Sequence, residues 1–132
     1  MNLNQVTVYS TDVPRAVEFY CRLGLLLIVD SAPRYVRFQC PDGAATFSLH
    51  HTDDAPASNG PVIYFECADL DAQVARLQAL GVAFAAGPVD QSWLWREAYL
   101  RDPDGHLLCL YHAGENRLNP PWRVNSGQHG ER

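Results

Sequence analysis

Glu66, Cys109, the adjacent pair His50-His51 and the near pair Trp93 and Trp95 are the side chains whose types could do chemistry here. Glu66 lies in the alternating run from Val62 to Cys67. A carboxylate there can act as a general base or hold a cation, or simply pair with a cation at a strand end. Cys109 is either a nucleophile or a small apolar filler, and its apolar neighbours fit the filler. His50 and His51 point to opposite faces of any strand, so they cannot both serve one metal; a strand-end pair near solvent is the plainer reading. Trp93 and Trp95 share a strand face, where they either stack on a flat or cationic ligand or pack at a subunit interface. Arg96 and Glu97 read as surface partners, and Trp122 after Pro120-Pro121 reads as a packing anchor for the tail.

The chain around these residues is ordinary in composition. It has 132 residues, 47% hydrophobic and 19% charged, with a formal net charge of −5 and a pI near 5.4. No basic stripe is available to neutralise phosphates, so a nucleic-acid partner is excluded. The acidic balance is compatible with a cationic ligand. Cys21, Cys40, Cys67 and Cys109 lack Cys-x-x-Cys spacing and lie in apolar segments, which predicts buried, reduced thiols and a cytoplasmic setting. The chain opens on a strand-like run without a leader pattern, and no apolar stretch approaches about 18 residues, so no membrane partner is expected.

The elements that must position these residues come in two copies. The segment from Asp12 to Leu25 recurs 57 residues later from Asp69 to Val82, and both halves carry Pro-Asp-Gly before an apolar strand, at Pro41-Asp42-Gly43 and Pro103-Asp104-Gly105. Val13, Val17, Tyr20 and Leu23 form one helical face that Gly24 stops; Leu70, Val74, Leu77 and Leu80 repeat it before Gly81. Asp12 and its neighbours offer N-cap oxygens, with Pro14 just inside the helix. Strands are predicted over 4–9, 25–29, 35–40 and 46–51, then over 62–67, 82–85, 93–101 and 107–112. The chain thus divides into a first βαβββ module (4–52), a linker rich in Ala, Asp and Pro (53–60), a second module (61–113) and a tail (114–132) that frays beyond Asn125.

Three stretches together resemble the vicinal oxygen chelate superfamily of glyoxalase I, extradiol dioxygenases and the fosfomycin- and bleomycin-resistance proteins. They are Asp12…Ala16-Val17-Glu18-Phe19-Tyr20…Leu23-Gly24-Leu25, Phe65-Glu66-Cys67-Ala68-Asp69-Leu70-Asp71 and Arg101-Asp102-Pro103-Asp104-Gly105. The resemblance implies an α+β fold in which two βαβββ modules form half-barrels around a cleft, commonly in a homodimer. It also implies four divalent-metal positions on the first and last strand of each module, where the ion acts as a Lewis acid. In this chain those positions fall on Gln5, Ser48, Val62 and Cys109. Val62 cannot ligate and Ser48 is a poor donor, so the family's metal site is expected to be absent, and no other cofactor is implied. A substitute site from Gln5, His50 and Cys109 would suit zinc.

With those four positions facing the cleft, strand parity adds Thr7, Tyr9, Thr46, His50, Tyr64, Glu66, Leu107 and Tyr111 to the same face. Their alternates, including Val6, Val8, Phe47, Leu49, Phe65 and Leu108, are apolar and belong under the helices. The ligand-binding candidates are therefore Gln5, Tyr9, Ser48, His50, Tyr64, Glu66, Trp93, Trp95, Cys109 and Tyr111, with Glu66 and Cys109 as catalytic candidates. The expected function is metal-free binding of a small organic molecule, as in bleomycin-resistance proteins that act by sequestration. The alternatives are a metal-dependent lyase or dioxygenase with a non-standard ligand set, and an interaction module whose cavity is filled by its own aromatics.

Overall fold

The computed structural model describes residues 1–124. After β1 (Gln5–Ser10) the chain forms α1 (Val13–Leu23), β2 (Leu26–Ser31), β3 (Tyr35–Gln39) and β4 (Thr46–His51). The second copy repeats this with β5 (Ile63–Glu66), α2 (Leu70–Ala79), β6 (Ala86–Asp90), β7 (Arg96–Arg101) and β8 (Leu107–His112). The two four-stranded sheets have equivalent orders, β1-β4-β3-β2 and β5-β8-β7-β6. Each combines one parallel pair (β1 with β4, β5 with β8) with antiparallel neighbours. The fold is α+β and built of two βαβββ modules.

Local chemistry sets the helix ends. Asp12 and Asp69 each accept a hydrogen bond from the backbone N–H three residues on, Arg15 and Ala72, satisfying one of the donors a helix N-terminus leaves open. Gly24 takes φ 103°, a left-handed turn that ends α1 and lets Leu25 N–H return to the Tyr20 carbonyl.

The helix faces and the helix-side faces of both sheets merge into one apolar core. Val13, Ala16, Tyr20 and Leu23 meet Val36, Phe38, Phe47 and Leu49, and the same core holds Leu70, Val74, Leu77, Leu100 and Leu108. Phe47 and Phe65, from different sheets, lie 6.0 Å apart edge to face. A polar clasp closes the seam. Tyr20 O–H donates to Asp102 Oδ2 at 2.6 Å, while Asp102 Oδ1 accepts the N–H groups of Asp104 and His106. Asp104 Oδ1 accepts from the Thr11 backbone and hydroxyl, and His106 Nε2 donates to the Tyr9 carbonyl. The Asp-Pro-Asp-Gly turn of one module is thus bonded to the β1–α1 corner of the other.

Several sequence expectations need correction. The sixth strand is Ala86–Asp90, not 82–85: Gly87-Pro88 reads as a breaker, yet Pro88 lies on an edge strand, where its missing N–H costs little. The seventh begins at Arg96, because 91–95 is a hairpin loop closed by Gln91 N–H on the Trp95 carbonyl, with Leu94 at φ 70°. Leu80 is exposed at the C-cap of α2. Of the four unpaired cysteines only Cys109 is buried, and Cys21 is exposed. Trp122 is 56% exposed and does not anchor the tail; Trp95 does, through Nε1 to the Asn116 carbonyl. The expected fraying beyond Asn125 lies outside the described residues.

Candidate functional site

The β-ladders gather the sequence-selected residues into two sets, one per sheet. On the first, register aligns Gln5 with Thr46 and Gln39, Thr7 with Ser48 and Arg37, and Tyr9 with His50 and Tyr35. On the second, it aligns Tyr64 with Cys109 and Tyr99, and Glu66 with Tyr111 and Glu97.

The first face is a polar network. Ser48, fully buried, receives Gln5 Nε2 at 2.8 Å and shares a 2.8 Å bond with the Tyr35 hydroxyl. Arg37 Nε donates to the same Tyr35 oxygen. The bond with Ser48, opposed by burial and aided by Arg37, draws the Tyr35 ionisation below the usual tyrosine range. Thr46 donates its hydroxyl to Gln5 Oε1. Tyr9 and Tyr35 both flank the His50 ring edge-on. His51, on the other face, bonds Asp53.

The second face is aromatic over an acidic floor. Trp95 stacks on Tyr111 at 4.7 Å and 19°, and Tyr64 meets both edge-on. Cys109 is fully buried beneath them. Burial, then the negative charge of Glu97, pushes its thiol up to about 12, so it stays protonated and a weak nucleophile. His106 and His112, three residues to either side, are committed to the carbonyls of Tyr9 and Cys67. Glu66 accepts the N–H groups of Ala113 and Gly114 at 2.8 and 2.9 Å. Burial alone would raise its carboxyl, but those two amides, with His112 and Arg117 nearby, hold it below the usual carboxylate range.

Sequence reasoning missed Glu97. Arg96 is a surface partner, bonded to Asp71 and Asp90. Glu97 is only 3% exposed and accepts Trp93 Nε1 at 2.8 Å and Tyr99 O–H at 2.6 Å. That bond from Tyr99, then burial, raises the Tyr99 ionisation far above the tyrosine range. Tyr35 and Arg37 escape for the same reason. Strand parity on the first and last strands of each module does not reach them, and carrying it one strand inward finds all three.

A model of the glyoxalase/bleomycin resistance protein/dioxygenase superfamily matches residues 2–110. The chain belongs to that superfamily. An uncharacterised protein of Mycolicibacterium smegmatis is 27% identical over 109 residues, 83% of this chain and 91% of that one. Among solved structures, a glyoxalase/bleomycin resistance protein/dioxygenase from Nocardioides superposes with a TM-score of 0.76 at 20% identity, covering 95% of this chain and 90% of the other. A lactoylglutathione lyase from Agrobacterium tumefaciens gives 0.72 at 19% identity, covering 89% and 96%. At these identities the likeness is one of fold.

Superfamily members are often metal-dependent, but the four corresponding residues here fit a divalent ion poorly. Gln5 Oε1 already accepts the Thr46 hydroxyl, and Ser48 is bonded to two neighbours. Val62 is hydrocarbon and ligates nothing. Among the described residues no three His, Cys, Asp or Glu side chains converge as a metal site. The zinc alternative from Gln5, His50 and Cys109 would draw on both sheets, and His50 Nδ1 is already bonded to the His51 carbonyl.

A cavity of about 580 Å³ borders the second face. It lies at the seam between modules, lined by Leu23, Leu25, Tyr64, Phe65, Glu66 and Leu110. No helix among the described residues is long and apolar enough to cross a membrane.

Proposed function

We propose that this protein binds a small organic molecule on the inner face of its second module, without a catalytic metal. The observation that carries the reading is the stacked Trp95–Tyr111 pair with Tyr64 at its edge. Two parallel rings with a third at right angles make a wall for a flat ligand, and aromatic walls with few polar groups are what small-molecule sites use. The poor donor set at the family's metal positions supports a binding role over Lewis-acid chemistry. Protonated Cys109 and hydrogen-bonded Glu66 are weak catalytic groups for the same reason: neither is poised to take or give up a proton near neutral pH.

A homodimer belongs to this proposal. Superfamily members often form dimers, and edge strand β2 exposes Leu26, Leu27 and Ile28 side by side. An exposed apolar edge is a ready pairing surface for a second copy. A cytoplasmic setting also belongs to it, since four unpaired thiols persist in a reducing compartment.

The test is a screen of flat aromatic molecules by thermal shift on chelator-treated protein, followed by Trp95→Ala. Ligands that stabilise the treated protein and lose about tenfold in affinity in the variant support the reading. Stoichiometric metal in protein purified without chelator, with binding abolished on its removal, would favour the metal-enzyme alternative instead.

A further inference from the structure

Glu97 stands apart from the other acidic side chains of the molecule. Asp102 is also buried, but it takes Tyr20 O–H and two backbone N–H groups and so shapes a turn and closes the seam. Glu97 caps no helix and forms no turn. Its two oxygens receive one neutral donor each, the Trp93 indole and the Tyr99 hydroxyl, which leaves acceptor capacity on both. The bond from Tyr99 is short, at 2.6 Å. The ion pairs among the described residues involve Asp53, Asp71, Asp90 and Glu66, and none involves Glu97.

A buried carboxylate without a cation is costly unless something supplies one. One of its two donors is Trp93, a residue 45% exposed that lies in the 91–95 hairpin loop. Leu94 in that loop holds φ 70°, a region unfavourable for a bulky side chain. That donor therefore sits on a strained turn rather than on a regular element. Beside the carboxylate, across the ladder, stands Tyr111 with Trp95 stacked on it. Aromatic faces beside a carboxylate attract organic cations through both ring quadrupole and charge.

We propose that the ligand of the second module's inner face carries a protonated or quaternary amine, and that Glu97 is the residue that selects it. The inference rests on the small-molecule reading above and adds the charge of the ligand. The Trp93 N–H holds the place on the carboxylate that the ligand's amine would take. The ligand's cationic group displaces it, exchanging a neutral donor for a charged one.

A matched set of probes separates recognition of charge from recognition of the ring. Naphthylmethylammonium, naphthylmethanol and naphthoate share one ring system and differ in charge. Calorimetric titration of the full chain is expected to show the ammonium binding about tenfold tighter than the alcohol, with the carboxylate weakest. In Glu97→Gln that preference should fall to within about twofold, while affinity for the alcohol is retained. Equal binding of ammonium and alcohol to the wild type would overturn the charge assignment and leave the binding reading standing. No binding of any probe would overturn both. A preference that survives in Glu97→Gln would assign the charge recognition to another residue and overturn the role of Glu97. If Glu97→Gln does not fold, the Trp93 indole N–H resonance of the wild type decides. It should shift with the ammonium and not with the alcohol, and an unmoved resonance under the ammonium overturns the proposal.

Discussion

Two glutamates on one row of a sheet are held in opposite ways, and the difference assigns them different work. Glu66 is clamped by the N–H groups of Ala113 and Gly114, so it organises the start of the tail. Glu97 is held by two neutral side-chain donors, the Trp93 indole and the Tyr99 hydroxyl. For Glu66 the linkage sign follows from its depressed carboxyl. The stabilisation is present above the unfolded carboxylate value and is lost as pH falls through the lower folded value. Glu66→Gln should therefore cost under about 1 kcal/mol at neutral pH. Its stability should converge with that of the wild type in acid; denaturant titrations across the acid range will check this, and a gap that widens in acid would contradict it. Glu66 is visible from the sequence because it sits on a strand with clean alternation. Glu97 is not, because Trp93-Leu94-Trp95 carries no glycine, asparagine or proline to announce a turn. The whole run therefore reads as one strand with its polar end at the surface.

Among the elements, one link between modules is polar, from helix α1 to the turn before β8. Tyr20→Phe removes one hydroxyl and leaves Asp102 Oδ2 buried without its donor. A loss of about 1–3 kcal/mol is expected in denaturant unfolding, with unchanged m-value. A neutral result would mean that the turn holds without the clasp. The β6–β7 hairpin makes the opposite prediction. Leu94→Gly relieves the left-handed strain at φ 70°, and the stability should hold or rise by under about 1 kcal/mol; calorimetric Tm reads it, and a clear drop would show that the Leu94 side chain packs usefully. Helix phase and the glycine stops are legible because a 3.6-residue apolar period ending on Gly marks both the buried face of a helix and its left-handed cap. The bounds of β6 are not legible. Edge position licenses Pro88, and position within a sheet is a tertiary fact that the local residues do not state.

At the scale of the whole molecule, the internal repeat gives two sheets of equivalent order whose helix-side faces share one core. That much follows from the doubled pattern, since neither copy can bury its apolar face alone. What the pattern cannot set is which inner-face residues cluster, because that depends on register across strands far apart in sequence. The exposed Leu26, Leu27 and Ile28 of β2 make a further prediction here. Sedimentation at micromolar concentration should give a dimer that Ile28→Asp weakens, and a monomer at all concentrations would remove the second copy from the account. The central claim is that a small molecule is held on the second module's inner face without metal. The most direct measurement is an NMR titration of chelator-treated protein with naphthylmethylammonium. Shifts are expected to cluster at Tyr64, Trp93, Trp95, Tyr99, Cys109 and Tyr111, unchanged when metal is added back. Shifts confined to the seam cavity around Leu25 and Phe65, or shifts that appear only with metal, would contradict the claim.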